Sequence, residues 1–253
     1  MPTPMDFLKQ YRNLKVKATI DDAAQQVCRT VTYTVQLKHY FMMDWQDGTE
    51  ERRDYNVVTR GSKEDRWFQE NKDRIRNAAM GKGAPRDYEL ALEWAIIAKK
   101  IEKPSQSSVQ LFCDQRLGID CSGFVTNYLV ACGKKAYSNN TVRNTGAASY
   151  FSAARAVNDP TKIRQGDILV WMHGNAVMRG PGHVAVVDSY VPQSKPGGNM
   201  RVVEATGNTR ANPKLLDSMY SVEQIIDKRG GVPMILVAKR HGKSGSRVAV
   251  MRL

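Results

Sequence analysis

Three side chains in this sequence can together move a proton and open an amide: Cys121, His183 and Glu204. Cys121 stands in GIDCSGFVTNYLVACG, residues 118–133, directly after an aspartate. Asp120 is an N-cap residue type, Phe124, Val125, Tyr128, Leu129 and Cys132 recur at helical spacing, and Gly133 supplies a stop. The stretch therefore predicts a helix with Cys121 in its first turn. There the unpaired backbone N–H groups and the positive end of the helix dipole favour thiolate over thiol, and small Ser122 and Gly123 leave room for a substrate. The stretch alone supports a plain buried thiol equally well, since free cysteines are among the most buried residue types. A thiol nucleophile also needs an imidazole to take its proton and return it to the leaving amine, and a polar group to fix the imidazole's tautomer. His183 follows the turn residues Pro181-Gly182, and Glu204 lies late in RVVEA; they fill those roles in chain order. Both sit on short runs that read as antiparallel strands, whose neighbours come within about 5 Å. Glu204 also reads as a solvent-facing strand residue. His173 ends a strand after Trp171 and precedes the loop HGNAVMRGPG, so it reads as a surface histidine; His39 and His241 read as solvated side chains outside the core.

The elements that must position these residues fall into two regions. From Asp21, DDAAQQVCRTVTYTVQLKHYFMM fits a capped helix through Ala24, Cys28, Val31 and Val35, or a strand, given its β-branched Thr and Val; the helix is the expectation. A turn at Asp47-Gly48 leads to a short strand candidate, DYNVVTR. Ser62 with Asp65 then reads as a capping box for a helix that carries Trp67, Phe68 and Ile75 and closes near Gly81. After GKGAP come the apolar-faced helix DYELALEWAIIAKK, a polar loop EKPSQSS and the cysteine helix. GDILVW, HVAVVDSY, RVVEA and PMILVAKR follow, Val- and Ile-rich runs separated by turn residues, as an antiparallel sheet requires. The fold class is α+β, a cysteine-bearing helix packed on that sheet. Residues 1–83 read as an N-terminal extension, 84–240 as the hydrolase domain and 241–253 as a basic C-terminal tail.

At 253 residues the chain buries a full core, and its 38 Lys+Arg against 25 Asp+Glu give a formal charge of +13, which favours a polyanionic partner: nucleic acid, an anionic membrane face, or a cell wall rich in carboxylates and phosphates. The positive residues are dispersed and carry no nucleic-acid motif, which makes a basic nucleic-acid binder the weaker reading. Four cysteines, Cys28, Cys113, Cys121 and Cys132, make neither a disulfide framework nor, with the histidines, a zinc spacing, so no metal and no cofactor is expected. No long apolar run spans a membrane and MPTPMDFLKQYRNLKVK holds no signal-peptide core, so membrane insertion is not expected and synthesis in a reducing cytoplasm is.

GIDCSGFV, RQGDILVW, GHVAVVDSY and VVEATGN resemble, over roughly residues 84–240, the papain-like cell-wall cysteine peptidases, the superfamily of NlpC-type endopeptidases and CHAP amidases. The resemblance implies a papain-like fold and a peptidoglycan hydrolase with Cys121 as nucleophile, His183 as base and acid, and Glu204 as the third residue. CHAP members commonly have a glutamate there and an asparagine just beyond it, which makes Asn208 the alternative orienting residue. Asp120 and Ser122 correspond to a site for a substrate amine, although Asp120 also reads as a plain helix cap. Gln115, six residues before the cysteine, is similar in placement to an oxyanion-hole glutamine, and also reads as a surface glutamine. SVQLFCDQRLGI departs from the NlpC pattern, which has an aromatic and Gly-rich segment there. A wall substrate places the action at the cell wall or periplasm. Without a visible leader, the favoured route is a dedicated secretion machine, as for an antibacterial effector, with a cognate immunity protein as partner; a missing leader or phage-borne release are the other routes. A papain-like acyl-transfer enzyme or protease acting on a non-wall substrate is the rival enzyme reading.

Overall fold

The Val- and Ile-rich runs of the second half pair into one antiparallel sheet that closes on itself. In the computed structural model, which describes residues 1–22, 27–40, 58–180, 182–193, 197–207, 212–226, 233–240 and 243–253, this sheet comprises β3 (Ile168–His173), β4 (Ala176–Val177), β5 (Val184–Gln193), β6 (Gly197–Ala205), β7 (Leu215–Ile226), β8 (Ile235–Arg240) and β9 (Ser246–Met251). The strand order is β4-β3-β5-β6-β7-β8-β9, and β9 pairs with β3 as well as β8, so six of the strands form a closed ring. Period-two alternation then sorts the side chains into two cores. Leu169, Ala185, Val187, Met200, Val202, Leu236, Val248 and Val250 fill the barrel. Ile168, Val170, Val184, Val186, Val203, Ala205, Ile235 and Ala249 face outward onto the helices.

Those helices are α1 (Pro4–Tyr11), α2 (Lys63–Ala79), α3 (Pro85–Ile97), α4 (Gln106–Arg116), α5 (Cys121–Ala131) and the short α6 (Asn139–Asn144). Their caps follow the sequence. Ser62 accepts from the Asp65 amide at the start of α2, Asp120 accepts from the Gly123 amide at the start of α5, and Gly133, with φ +67°, ends the α5 turn. Helix α5 lies against the outer face of β5 and β6. Behind it, Phe7 and Tyr11 of α1 pack on Phe124, with ring centroids 5.6 and 5.8 Å away.

The structure corrects three expectations. The segment read as a helix from Asp21 is instead β2 (Val27–Val35), paired antiparallel with β1 (Leu14–Asp22), Leu14 opposite Val35. Its β-branched residues fit a pleated surface, and helix side chains satisfy both open edges. On one side Glu89 and Glu93 accept from the Lys15 and Lys17 amides. On the other, Gln106 and Gln110, one turn apart on α4, each bond an amide and a carbonyl of the strand end, at Thr34 and Gln36. Second, residues 246–251, expected within a basic tail, form β9 and close the barrel through Val248, Ala249 and Val250. Third, the polar loop EKPSQSS is cut short: α4 begins within it at Gln106 and runs to Arg116. Most of the strand candidate DYNVVTR and the Asp47-Gly48 turn lie outside the described residues. Among the described residues, no helix is long and apolar enough to cross a membrane.

Candidate active site

Antiparallel register brings the histidine and the glutamate together. Val186 pairs with Val203, so Glu204 stands opposite Ala185, two residues from His183 and on the same face. That face is the barrel interior, and at its rim His183 Nε2 lies 2.8 Å from Glu204 Oε2. Glu204 is 1% exposed at its side chain. Its Oε1 accepts from the Tyr220 hydroxyl at 3.0 Å and from Arg240 Nη1 at 3.1 Å. Trp171, next on β3, packs edge-on against the imidazole, 4.4 Å between centroids. The carboxylate that orients the imidazole is thus shut off from water by the barrel itself, which strengthens its hold on the ring.

Cys121 reaches the same point from outside the barrel, as the first residue of α5. With Nε2 engaged by Glu204, Nδ1 is the ring nitrogen left to face a second partner, and Cys121 is near enough to favour the ring's charged form. Burial pulls the imidazole towards its neutral form, but hydrogen bonds to Cys121 and Glu204, and the charge of both, outweigh it and push the His183 pKa up to about 9. Burial alone would raise Glu204; the hydrogen bond and charge of His183, joined by Arg240, hold it below the usual glutamate range. The two shifts describe a ring whose charged form is favoured and a glutamate that stays ionised beside it. By contrast Cys113, wholly inside the core, has its thiol pushed up to about 12 by burial and by Asp114.

The site opens into a cavity of about 490 Å³ lined by Tyr40, Lys82, Asp120, Cys121, Ser122 and Arg143 among others. Three of these residues, Tyr40, Lys82 and Arg143, have no counterpart in the sequence reading, and the first two touch the cysteine turn directly. The Tyr40 hydroxyl donates to Cys121 Sγ at 4.0 Å, on a segment bridged to Ile119 just before the helix. Burial, then the charges of Cys121 and Asp120, push the Tyr40 pKa far up, so its hydroxyl keeps its proton. Lys82 Nζ lies 2.6 Å from Asp120 Oδ2 and also donates to Ser122 Oγ. Gly123 makes this approach possible: a Cβ there would fall 2.5 Å from the Gly81 carbonyl oxygen and 3.0 Å from Lys82 Cα. No local signal marks Tyr40 or Lys82, because both reach the site by long-range packing.

Of the residues read from sequence, Cys121, His183 and Glu204 meet, with Asp120 and Ser122 in the adjoining wall. Gln115 does not join them: it is exposed on α4 and absent from the cavity lining, because the helical turn there points it to solvent. Asn208 and His241 lie outside the described residues. His173, at the end of β3, is exposed. Residues 112–206 match the family model of the CHAP domain, well under half of the chain. No curated protein and no solved structure matches the chain. The match agrees with the superfamily of CHAP amidases and NlpC-type peptidases and suggests a hydrolase acting on peptidoglycan.

Proposed function

We propose, from the CHAP-domain match and the cluster beside it, that the protein hydrolyses an amide of the peptidoglycan stem peptide or the amide joining the stem to muramic acid. The observation that carries this reading is His183 Nε2 held 2.8 Å from the buried carboxylate of Glu204, with Cys121 adding to the pull on the imidazole's charged form. Cys121 Sγ attacks the carbonyl carbon, and His183 delivers its proton to the nitrogen as the C–N bond breaks. Water, giving its proton to His183, then attacks the thioester, and the C–S bond breaks to restore the charged pair. A thiol at a helix N-terminus facing an imidazole on a sheet is a papain-like layout, here with the sheet closed into a barrel. The oxyanion receives the backbone N–H of Cys121, which at the first helical position has no partner within the helix, and the hydroxyl of Tyr40 in the role expected of Gln115.

Digestion of purified sacculi with mass spectrometry of the soluble products is the test. Fragments with one new amine and one new carboxyl per cut support the proposal; intact sacculi alongside cleavage of an unrelated acyl substrate would replace it with the general acyl-transfer reading. Tyr40→Phe keeps the ring and removes the donor. It should lower kcat by about 10²-fold with little change in KM, the signature of a contact made in the transition state.

A further inference from the structure

One ammonium holds the residues on both sides of Cys121. Lys82 lies just past the end of α2, in a connection tied to the start of α5. There the Asp120 N–H donates to the Gly81 carbonyl at 3.0 Å, and Asn127 Nδ2 donates to the Lys82 carbonyl at 2.8 Å. The Lys82 side chain reaches Asp120 Oδ2 at 2.6 Å, immediately before the cysteine, and donates to Ser122 Oγ, immediately after it. Its third N–H faces the Thr145 carbonyl at 3.3 Å, on another segment of the cavity wall. The Lys82 and Asp120 side chains are 11% and 13% exposed, so salt and water screen the pair little.

The carboxylate of this pair stands one residue from a sulfur that must carry negative charge to attack. Its charge is felt around that sulfur. Burial first, then the charges of Cys121 and Asp120, push the Tyr40 hydroxyl far up, and burial with the charges of Asp120 and Cys121 does the same at Tyr150. Left alone, Asp120 would oppose a second negative charge at Cys121. We propose, resting on Cys121 as the nucleophile of the proposed hydrolysis, that Lys82 is its positioning residue: the ammonium cancels the Asp120 charge and fixes the turn that presents the sulfur. Asp120 Oδ1 caps α5 by accepting from the Gly123 amide. The helix therefore needs this side chain, and Lys82 lets it stand beside the sulfur without opposing the reaction. Among the described residues, the other titratable or charged groups around the thiol are His183 from β5 with Glu204 behind it, Tyr40, Tyr150 and, in the cavity lining, Arg143. The two phenols keep their protons and Arg143 pairs with Asp73 at 2.9 Å, whereas Lys82 is the cation bonded to Asp120.

The test is the rate at which iodoacetamide alkylates Cys121 in the full-length protein at pH 6.5, read by peptide mass spectrometry. Lys82→Met should slow the reaction about tenfold, because an uncancelled carboxylate then opposes the anionic sulfur. The gap should narrow towards pH 10, where a thiol ionises unaided. Lys82→Arg keeps a cation beside Asp120 and should stay close to wild type. Combining Lys82→Met with Asp120→Asn should restore most of the rate, since Asn caps a helix as well as Asp does and carries no charge. A purely structural tether would not be restored this way. Equal alkylation of wild type and a folded Lys82→Met variant overturns the proposal, as does a paired variant as slow as the single one. If Lys82→Met does not fold, Lys82→Gln replaces it, keeping an N–H for Asp120 without the charge and facing the same two outcomes. If neither single variant folds, the paired one decides: a wild-type rate upholds the role and a slow one overturns it. Alkylation needs no turnover, so the two levels separate. Wall digested by wild type alongside rates that ignore Lys82 sinks only this role, while intact wall alongside rates that follow Lys82 sinks the proposed function and leaves this role standing.

Discussion

Cys121→Ser is expected to slow sacculus hydrolysis by about 10⁴-fold or more, with His183→Ala matching it and the double variant no slower, because residues acting as one unit are grossly non-additive. The substitution is nearly isosteric at a residue that lines a cavity, so the folded state should be retained. It also has a consequence independent of turnover. His183 titrates at about 9 because Cys121 and Glu204 both hold its charged form. With the thiol's charge gone, one of those partners is lost and the ring should titrate lower, readable from its NMR shifts. Labelling by iodoacetamide gives a second readout. Cys28 is exposed, while Cys113 and Cys132 are buried, Cys113 with its pKa pushed up to about 12. Pairing with a charged imidazole should make Cys121 react faster than Cys28 at pH 6.5 although it is the less open thiol. Retained hydrolysis in Cys121→Ser, or equal labelling of Cys121 and Cys28, would remove the thiol from the mechanism. His173→Ala, at an exposed strand end, should keep most activity.

The sequence made this core legible where a local rule fixes the outcome. Asp120 and Gly133 bracket α5 through cap chemistry, and Val-rich runs with turn residues between them mark β3, β5, β6 and β8. Period two then suffices to bring His183 and Glu204 to one face. What was not legible depends on partners far along the chain. The run from Leu215 to Ile226 offers few β-branched residues and becomes β7 by pairing with eight residues of β6. β9 is held because it completes the ring between β3 and β8. The segment leading to β2 carries both helical and strand periodicity, and the Gln106 and Gln110 amides that support its edge come from a helix more than seventy residues on. Tyr40 and Lys82 belong with these cases. Both lie outside the matched residues 112–206, so the part of the chain without a family match supplies two walls of the site.

Glu204→Gln should lower the hydrolysis rate by about 10²–10³-fold, and Glu204→Ala by about tenfold more, since only the first keeps an acceptor for the imidazole. The amide is a poor replacement for a particular reason. Glu204 accepts on both oxygens, from His183 on one and from Tyr220 and Arg240 on the other. A glutamine that turns its oxygen to His183 turns its NH₂ to Arg240, donor against donor. The charge matters separately. Glu204 helps hold His183 at about 9, so the active charged pair persists until the imidazolium loses its proton near that pH. Without the carboxylate's charge the basic limb of the kcat/KM profile should move to lower pH. Stability follows the same sign. A histidine raised from 6.5 to about 9 contributes stability that is fully present below pH 6.5 and is lost as the pH rises through 9. The gap in Tm between wild type and Glu204→Gln should therefore be wider at pH 6 than at pH 10. Part of the gap comes from Arg240 losing this carboxylate, and a Glu204→Gln, Arg240→Met pair isolates it. That pair should recover Tm while leaving the pH profile where Glu204→Gln puts it, because only the carboxylate acts on the imidazole. A basic limb that stays in place in both variants would make Glu204 a purely structural anchor of Arg240 and Tyr220.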